Sequence, residues 1–296
     1  MTALHPVAEG FVAQGQEEGG RAVTERPFVR ADLLDPMPAP AGAGGDHRRV
    51  GRAIAAGVLA VLVALYAWNT DRETFARYAP ELWDGLLVTM QLVAVSVALG
   101  FLLALPLAAA RRSRNPLVGA PAYGYSYFFR GTPLLAQVFL LYYGAGEFRG
   151  ALEAVGLWWM FRDAFTCALL VFTLNTAAYQ CEIIRGAVGA VGRGQWEAAS
   201  ALGLRRGRTL RHVVLPQAAI TALRPLGNEI VFVVKGSAIA SIITVYDLMG
   251  ETRLAFSRTY DFQVYIWAAV LYLVVVEALR RVWDVMERRL TAHQAR

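Results

Sequence analysis

The sequence predicts an all-α integral membrane protein, and three observations support this. Hydrophobic residues make up 56% of the 296-residue chain, and the mean hydropathy is +0.39. The long runs at 85–110 and 164–181 contain no charged residue, and about 20 apolar residues suffice for a helix to cross a bilayer. Because lipid offers the backbone no hydrogen-bonding partners, the crossings are expected to be helical.

The apolar runs divide the chain into a leading tail and six crossings. Residues 1–50 are rich in Gly, Ala, Pro and Glu, which is typical of a disordered tail. The first run, 53–68, spans about 24 Å as a helix and ends in Tyr66 and Trp68, residue types that favour the membrane interface. We assign an extra transmembrane helix to 51–70. Further crossings are expected at 85–110, 117–146, 163–184, 217–246 and 262–282.

The basic residues follow the pattern of a multi-pass membrane protein. Lys235 is the single lysine, so the net charge of +6 comes from arginine. One side of the membrane collects Arg48, Arg49, Arg52, Arg111, Arg112, Arg114, Arg205, Arg206, Arg208, Arg211, Arg280, Arg281, Arg288 and Arg289. By the positive-inside rule this side is cytoplasmic. Both termini and the loop 185–216 are therefore expected in the cytoplasm, and a nucleic-acid partner is not.

The segment 117–146 is interrupted by Arg130, Gly131, Thr132 and Pro133. Proline lacks the helical donor and disfavours helix in the residue before it. We expect 117–130 to lie along the cytoplasmic interface and the crossing to begin near Pro133, which would hold Arg130 at the headgroups. The alternative is a single kinked crossing.

The chain lacks the patterns of common active sites. A P-loop needs a lysine after glycine and before Ser or Thr, whereas Lys235 lies inside an apolar segment. Cys167 and Cys181 share one predicted helix about 21 Å apart, too far for a disulfide. The histidines are scattered at positions 5, 47, 212 and 293. We therefore predict no catalytic residue, metal site or cofactor site, and we expect both cysteines to be packing residues.

The loop 185–216 carries the pattern that points to function. Glu197, Ala198 and Ala199 form a small-residue helix, Gly203 supplies its stop, and Leu215-Pro216 restarts the next crossing. Small residues permit close approach of another protein, so the loop is typical of a docking element for a soluble partner. The alternative is an ordinary cytoplasmic hairpin of an alanine-rich protein.

This loop resembles the signature loop of the membrane subunits of ABC importers. Further motifs are similar to those of the polar amino acid permeases (histidine, glutamine, arginine and opine types): Phe129-Arg130-Gly131-Thr132-Pro133-Leu134, Leu174-Asn175-Thr176-Ala177-Ala178-Tyr179, Glu182-Ile183 and Asn228-Glu229. The resemblance covers 81–290. Two departures are the extra leading crossing and Lys-Gly-Ser-Ala at 235–238, where many relatives have Lys-Asp-Thr-Ser.

The resemblance implies a type I ABC importer core of five helices, here with one extra N-terminal transmembrane helix. In that family the signature loop forms a coupling helix seated in a cytoplasmic ATPase, and ATP-driven closure of two ATPases switches the crossings from inward- to outward-facing. The implied coupling residues are Glu197, Ala198, Ala199, Gly203, Leu215 and Pro216. Arg130, Gly131, Thr132 and Pro133 form a structural motif.

The resemblance also implies partners and a location. The chain would be a non-catalytic permease of the bacterial inner membrane, in contact with lipid, while a separate ATPase dimer binds ATP and Mg. A second permease chain, identical or paralogous, would complete the pathway, and an extracytoplasmic binding protein would deliver a polar amino acid.

Polar residues inside the predicted crossings mark a candidate solute pathway. Asn175, Tyr179 and Glu182 share one helix face by their spacing, as do Asn228 and Lys235. Polar side chains within a membrane usually face a cavity or the bundle interior. We assign Asn175, Tyr179, Glu182, Asn228, Glu229 and Lys235 to the pathway. The alternative for these residues is structural hydrogen bonding, including an ion pair of Glu182 with Arg185.

Two other classes of protein compete with this interpretation. An ion-coupled secondary amino acid transporter would usually show inverted repeats and paired broken helices, and no internal repeat is apparent. A membrane anchor or sensor without a transport role is the second competitor.

Overall fold

The computed structural model describes residues 72–291 continuously and single positions between 50 and 64. The tail expected over 1–50 lies outside the described residues except for its last position, and the helix expected within 51–70 is described only at scattered positions, which are helical. Both therefore stay predictions. All elements discussed below belong to the unit Leu59–Arg296.

Every regular element between Arg72 and Thr291 is helical, which confirms the all-α class for this part of the chain. The α-helices are α1 (Arg72–Arg111), α2 (Pro116–Gly131), α3 (Leu134–Tyr142), α4 (Gly144–Glu147), α5 (Arg149–Ala154), α6 (Trp159–Arg162), α7 (Ala164–Ala190), α8 (Arg193–Ala201), α9 (Arg206–Thr209), α10 (Leu215–Gly236), α11 (Leu248–Thr259) and α12 (Gln263–Thr291). A π-helical turn, Leu210–Val214, precedes α10, and a 3-10 helix, Ser237–Ile243, follows it.

Four stretches within the described residues are long and apolar enough to cross a membrane: Arg72–Arg111, Ala164–Ala190, Arg206–Ile243 and Gln263–Thr291. They coincide with four of the predicted crossings. The predicted crossing 117–146 is divided into α2 of 16 residues and α3 of nine, each shorter than a span. The total number of crossings stays a prediction.

The core is built around α1 and α7. Buried residues recur along α1 at intervals of three or four positions, as expected for one helix face: Leu82, Leu86, Thr89, Leu92, Ser96, Gly100, Ala104 and Ala108. The first of these pack on α11 and α12, and the later ones pack on α7. Cys167 and Cys181 are unpaired and fully buried in the α7 core, as predicted.

The break between α2 and α3 falls where the sequence predicts it, with α3 beginning directly after Pro133, but α2 packs differently from our expectation. Ser126 Oγ donates to Cys181 Sγ at 3.8 Å, and Asn175 Nδ2 donates to Phe129 O at 3.1 Å, so α2 packs on the middle and C-terminal half of α7. On α3, Val138 packs into the core formed with the N-terminal half of α7. Together α2 and α3 follow α7, which agrees with the single kinked crossing rather than with an interfacial helix.

The helix leading into α10 begins earlier than predicted. The sequence placed 205–211 in a loop before a crossing at 217, whereas the helical path starts at Arg206 and passes through the π-helical turn into α10. Pro216 cannot donate to the carbonyl four residues earlier. A wider π-helical turn just before it accommodates that missing hydrogen bond, so the proline sits inside a continuous helix.

Candidate functional site

The carboxylate of Glu182 joins α1, α2 and α7. Its Oε1 accepts from Arg111 Nε of α1 at 2.9 Å, and its Oε2 accepts from Arg185 Nη2 on its own helix at 2.7 Å. Arg130, in the last turn of α2, approaches Oε2 at 3.9 Å. The Glu182 side chain is 11% exposed. The pair with Arg185, weighed as the structural alternative, is therefore formed, and two further arginines share the same acid.

A second polar network holds the break between α2 and α3. Gln137 Nε2 lies within 3.1 Å of Phe129 O, Thr132 O and Thr132 Oγ1, which satisfies carbonyls left free where α2 ends. Asn175 on α7 donates both to Phe129 O and to Gln137 Oε1. Asn175 thus connects the Arg-Gly-Thr-Pro turn to α7. Gln137 was not among the functional residues predicted from the sequence.

Glu229 lies on the buried side of α10 and faces α7. Thr176 Oγ1 donates to Glu229 Oε1 at 3.0 Å, and Gln180 Nε2 donates to Thr176 Oγ1 at 3.0 Å. Glu229 is 8% exposed. A buried carboxylate with one donor keeps unused acceptor capacity, so this acid is suited to bind a positively charged group.

Asn228 and Lys235 lie on a different face of α10 from Glu229. Both are exposed, and they share their face with Phe232, which is 70% exposed. The predicted common face is therefore present. It points away from the helices of this chain, so the structure does not bring Asn228 and Lys235 together with the residues of α7.

An open cleft of ≈ 500 Å³ lies between the C-terminal half of α7 and the N-terminal half of α10. Its lining residues are Arg130, Tyr179, Glu182, Ile183, Arg185, Gly186, Ala187, Thr221 and Pro225. The guanidinium of Arg130 lies 5.5 Å from the centroid of the Tyr179 ring, a cation–π contact. The cleft therefore gathers Tyr179 and Glu182, two of the predicted pathway residues, beside two cations, Arg130 and Arg185. Its volume lies within the usual range for small-molecule sites.

The predicted coupling residues lie on and around α8. Gly203 has φ +72°, and Leu204 N donates to Ala199 O at 3.0 Å, which is the arrangement of a Schellman stop. Glu197 and Ala198 are exposed, whereas Ala199 is buried. Trp196 packs on the C-terminal end of α7 and the start of α10. Leu215 and Pro216 are exposed at the start of α10. An accessible short helix is thus mounted directly on the two long helices that border the cleft.

Residues 96–292 match the family described as binding-protein-dependent transport system inner membrane component. The chain belongs to this family, and it is a membrane permease subunit of an ABC importer. It is 41% identical over 224 residues to the nopaline transport system permease protein NocM of Agrobacterium fabrum, covering 75% of this chain and 93% of that protein. It is 37% identical over 220 residues to the arginine ABC transporter permease protein ArtM of Escherichia coli K12, covering 74% and 99%.

Solved structures show the same architecture. An amino acid ABC transporter solved with histidines aligns with a TM-score of 0.67 at 35% identity, over 75% of this chain and 99% of the other. The MetNI methionine ABC transporter in an inward-facing conformation aligns with a TM-score of 0.60 at 20% identity, which shows the fold alone. These structures support the type I importer fold expected from the sequence.

Proposed function

We propose that this permease carries a polar amino acid of the arginine and opine class, using the cleft between α7 and α10 as the inner part of its pathway. The named relatives transport nopaline and arginine, which combine carboxylate and cationic groups. The cleft combines arginines with Tyr179 and Glu182, and Glu229 lies buried between the same two helices. Groups of both signs in one cleft suit a solute that carries both.

The observation that carries the coupling half of the proposal is the way α8 is mounted. The helix exposes Glu197 and Ala198, ends in the Gly203 stop and is anchored by Trp196 on α7 and α10. A push on α8 is therefore transmitted to both helices that line the cleft. A cytoplasmic ATPase dimer, which binds the ATP and Mg²⁺, is the partner that we infer for this surface.

A second permease chain completes the proposed pathway. The α10 face with Asn228, Phe232 and Lys235 continues from Thr221 and Pro225, which line the cleft, but it is not covered by this chain. We infer that it faces the partner permease, identical or paralogous, across a shared route for the solute. An extracytoplasmic binding protein would deliver the solute to the opposite end.

Uptake by the reconstituted complex tests this function. Proteoliposomes with the chain, its partner permease, the ATPase and the binding protein should accumulate radiolabelled L-arginine or nopaline only when ATP is inside. Uptake of the same solutes by the permease without the ATPase would favour an ion-coupled secondary transporter instead.

Gly203→Val tests the coupling helix separately. Valine is strongly disfavoured at positive φ, so the stop and the orientation of α8 should be lost, and ATP-driven uptake should fall at least about tenfold. The matched control is Gly207→Val, because Gly207 has open space around it and lies in the helical path without a positive φ. Copurification of the ATPase should weaken in the first variant and persist in the second. Equal uptake by the two variants would refute the coupling assignment.

A further inference from the structure

The guanidinium of Arg130 is the least engaged of the three that surround Glu182. Arg111 and Arg185 each donate to the carboxylate within 2.9 Å. Arg130 stops at 3.9 Å, beyond hydrogen-bond length, and its side chain is 44% exposed where that of Arg111 is 17%. The planar fork of Arg130 therefore retains donors that point into the cleft.

Contacts of the neighbouring backbone and of the side chain hold the Arg130 guanidinium in position. Phe129 O, the carbonyl next to Arg130 in the chain, accepts from both Gln137 and Asn175. The side chain lies over the ring of Tyr179 on α7. A cation whose backbone and side chain are both held loses little freedom when it binds a ligand.

The positive charge around the cleft favours binding of an anionic group. Three arginines share the single carboxylate of Glu182, which leaves a local surplus of positive charge. Arg130 also lies within electrostatic range of the Glu229 carboxyl, deeper along α10. A guanidinium fork matches a carboxylate in geometry and can bind it through two parallel hydrogen bonds.

We propose that Arg130 is a specificity-determining residue that binds the carboxylate of the transported amino acid in the cleft. The assignment rests on the proposed function and extends it, since Arg130 was expected from the sequence only as part of a structural turn. Because Arg130 makes no hydrogen bond with Glu182, its guanidinium can bind the carboxylate of the solute without releasing Glu182 from Arg111 and Arg185. The cationic groups of the solute then extend toward Glu229.

The test compares two probes that differ in this one group. The complex of both permease chains with the ATPase is placed in nanodiscs, and calorimetry measures binding of L-arginine and of agmatine, its decarboxylated analogue. The wild type should bind L-arginine at least about tenfold more tightly than agmatine, as a charge-assisted pair of hydrogen bonds predicts. Arg130→Gln should weaken L-arginine about tenfold and leave agmatine unchanged. Arg130→Lys, which keeps the charge but loses the fork, should lie between them.

The control variant is Arg114→Gln, an exposed arginine in the turn between α1 and α2, which should bind both probes as the wild type does. Basal ATP hydrolysis and the thermal midpoint show whether each variant is assembled. Equal weakening of L-arginine and agmatine binding in Arg130→Gln would mean that Arg130 has a structural role, and an unchanged preference for L-arginine would mean that it has no role. Either result overturns the assignment of Arg130 but not the proposed function. A loss that follows the content of anionic lipid, and not the carboxylate of the probe, would assign Arg130 to a lipid headgroup. Binding of neither probe by the wild type would overturn the solute class together with the inference.

Discussion

At the scale of single residues, Asp247 shows how burial changes the chemistry of a helix cap. It precedes α11, and its side chain accepts from Gly250 N at 2.9 Å. The residue is completely buried. Burial raises the pKa of Asp247 to about 6, against the lowering effect of the backbone N–H groups of Gly250 and Met249. A carboxyl group at a helix start is thus held partly protonated near neutral pH.

Stability should therefore fall as the pH rises through the range in which Asp247 loses its proton. The folded chain holds this proton more tightly than the unfolded chain, so the contribution is full below about pH 4 and is lost as the pH passes about 6. The loss amounts to about 3 kcal/mol at most. Asp247→Asn keeps a capping oxygen and should remove this part of the pH dependence. Tryptophan-detected unfolding in detergent between pH 4 and pH 7.5 measures it.

The comparison variant for this prediction is Asp163→Asn. Asp163 caps α7 through Thr166 N at 2.7 Å but is exposed. Its replacement should leave the pH dependence of the wild type in place. An Asp247→Asn protein whose stability still declined with the same slope would show that another group titrates.

At the scale of helices, a single close approach sets how α1 packs on α7. A Cβ added at Gly100 would lie 2.5 Å from Thr176 Cγ2 and 3.3 Å from Ala177 N. The helices therefore touch backbone to backbone at this point, as small residues allow in membrane bundles. Thr176 is also the donor to Glu229, so this contact helps to position the acid beside the proposed pathway.

Gly100→Ala should separate α1 from α7 and destabilise the protein by about 1–3 kcal/mol, the usual cost of overpacking. Gly189→Ala on α7 is the matched control, because no atom lies within 4 Å of a Cβ at that position. Its expected effect is neutral, or stabilising by up to about 1 kcal/mol from helix propensity. Thermal unfolding of the two variants distinguishes them. A Gly100→Ala protein as stable as its control would contradict the close packing described above.

At the scale of the whole molecule, the orientation in the membrane stays a prediction from the arginine distribution. The structure offers a clean way to test it, because both native cysteines are fully buried. Ser200 on α8 and Ser257 on α11 are exposed. A membrane-impermeant maleimide should label Ser200→Cys in inside-out vesicles and Ser257→Cys in right-side-out vesicles.

Labelling at Ser200→Cys should also decrease when the ATPase is present, because α8 is its proposed docking element. The wild type, whose two native cysteines are buried, serves as the reference for unspecific reaction with the maleimide. Reaction of Ser200→Cys from the outer face would invert the topology, and the proposed coupling to a cytoplasmic ATPase would then be untenable.

The amount that could be predicted from the sequence differs between the fold and the site. Four long apolar helices and the stop at Gly203 were predictable because hydrophobic runs and a glycine after a helix are local signals. The start of the helix at Arg206 was missed, since a charged run resembles a loop until its tertiary setting is known. Gln137 was missed because a single amide within an apolar run does not reveal the carbonyls that it satisfies.

The sequence by itself determined the class of the protein, its helical content and the short helix that ends at Gly203, because these follow from composition and short-range spacing. The tertiary structure alone decided that Glu182 gathers arginines from α1, α2 and α7, and that Asn228 is exposed while its neighbour Glu229 is buried. Helical periodicity predicts which residues share a face of a helix. Only the tertiary packing shows which other helices that face contacts. The chemistry of the proposed pathway depends on these packing contacts.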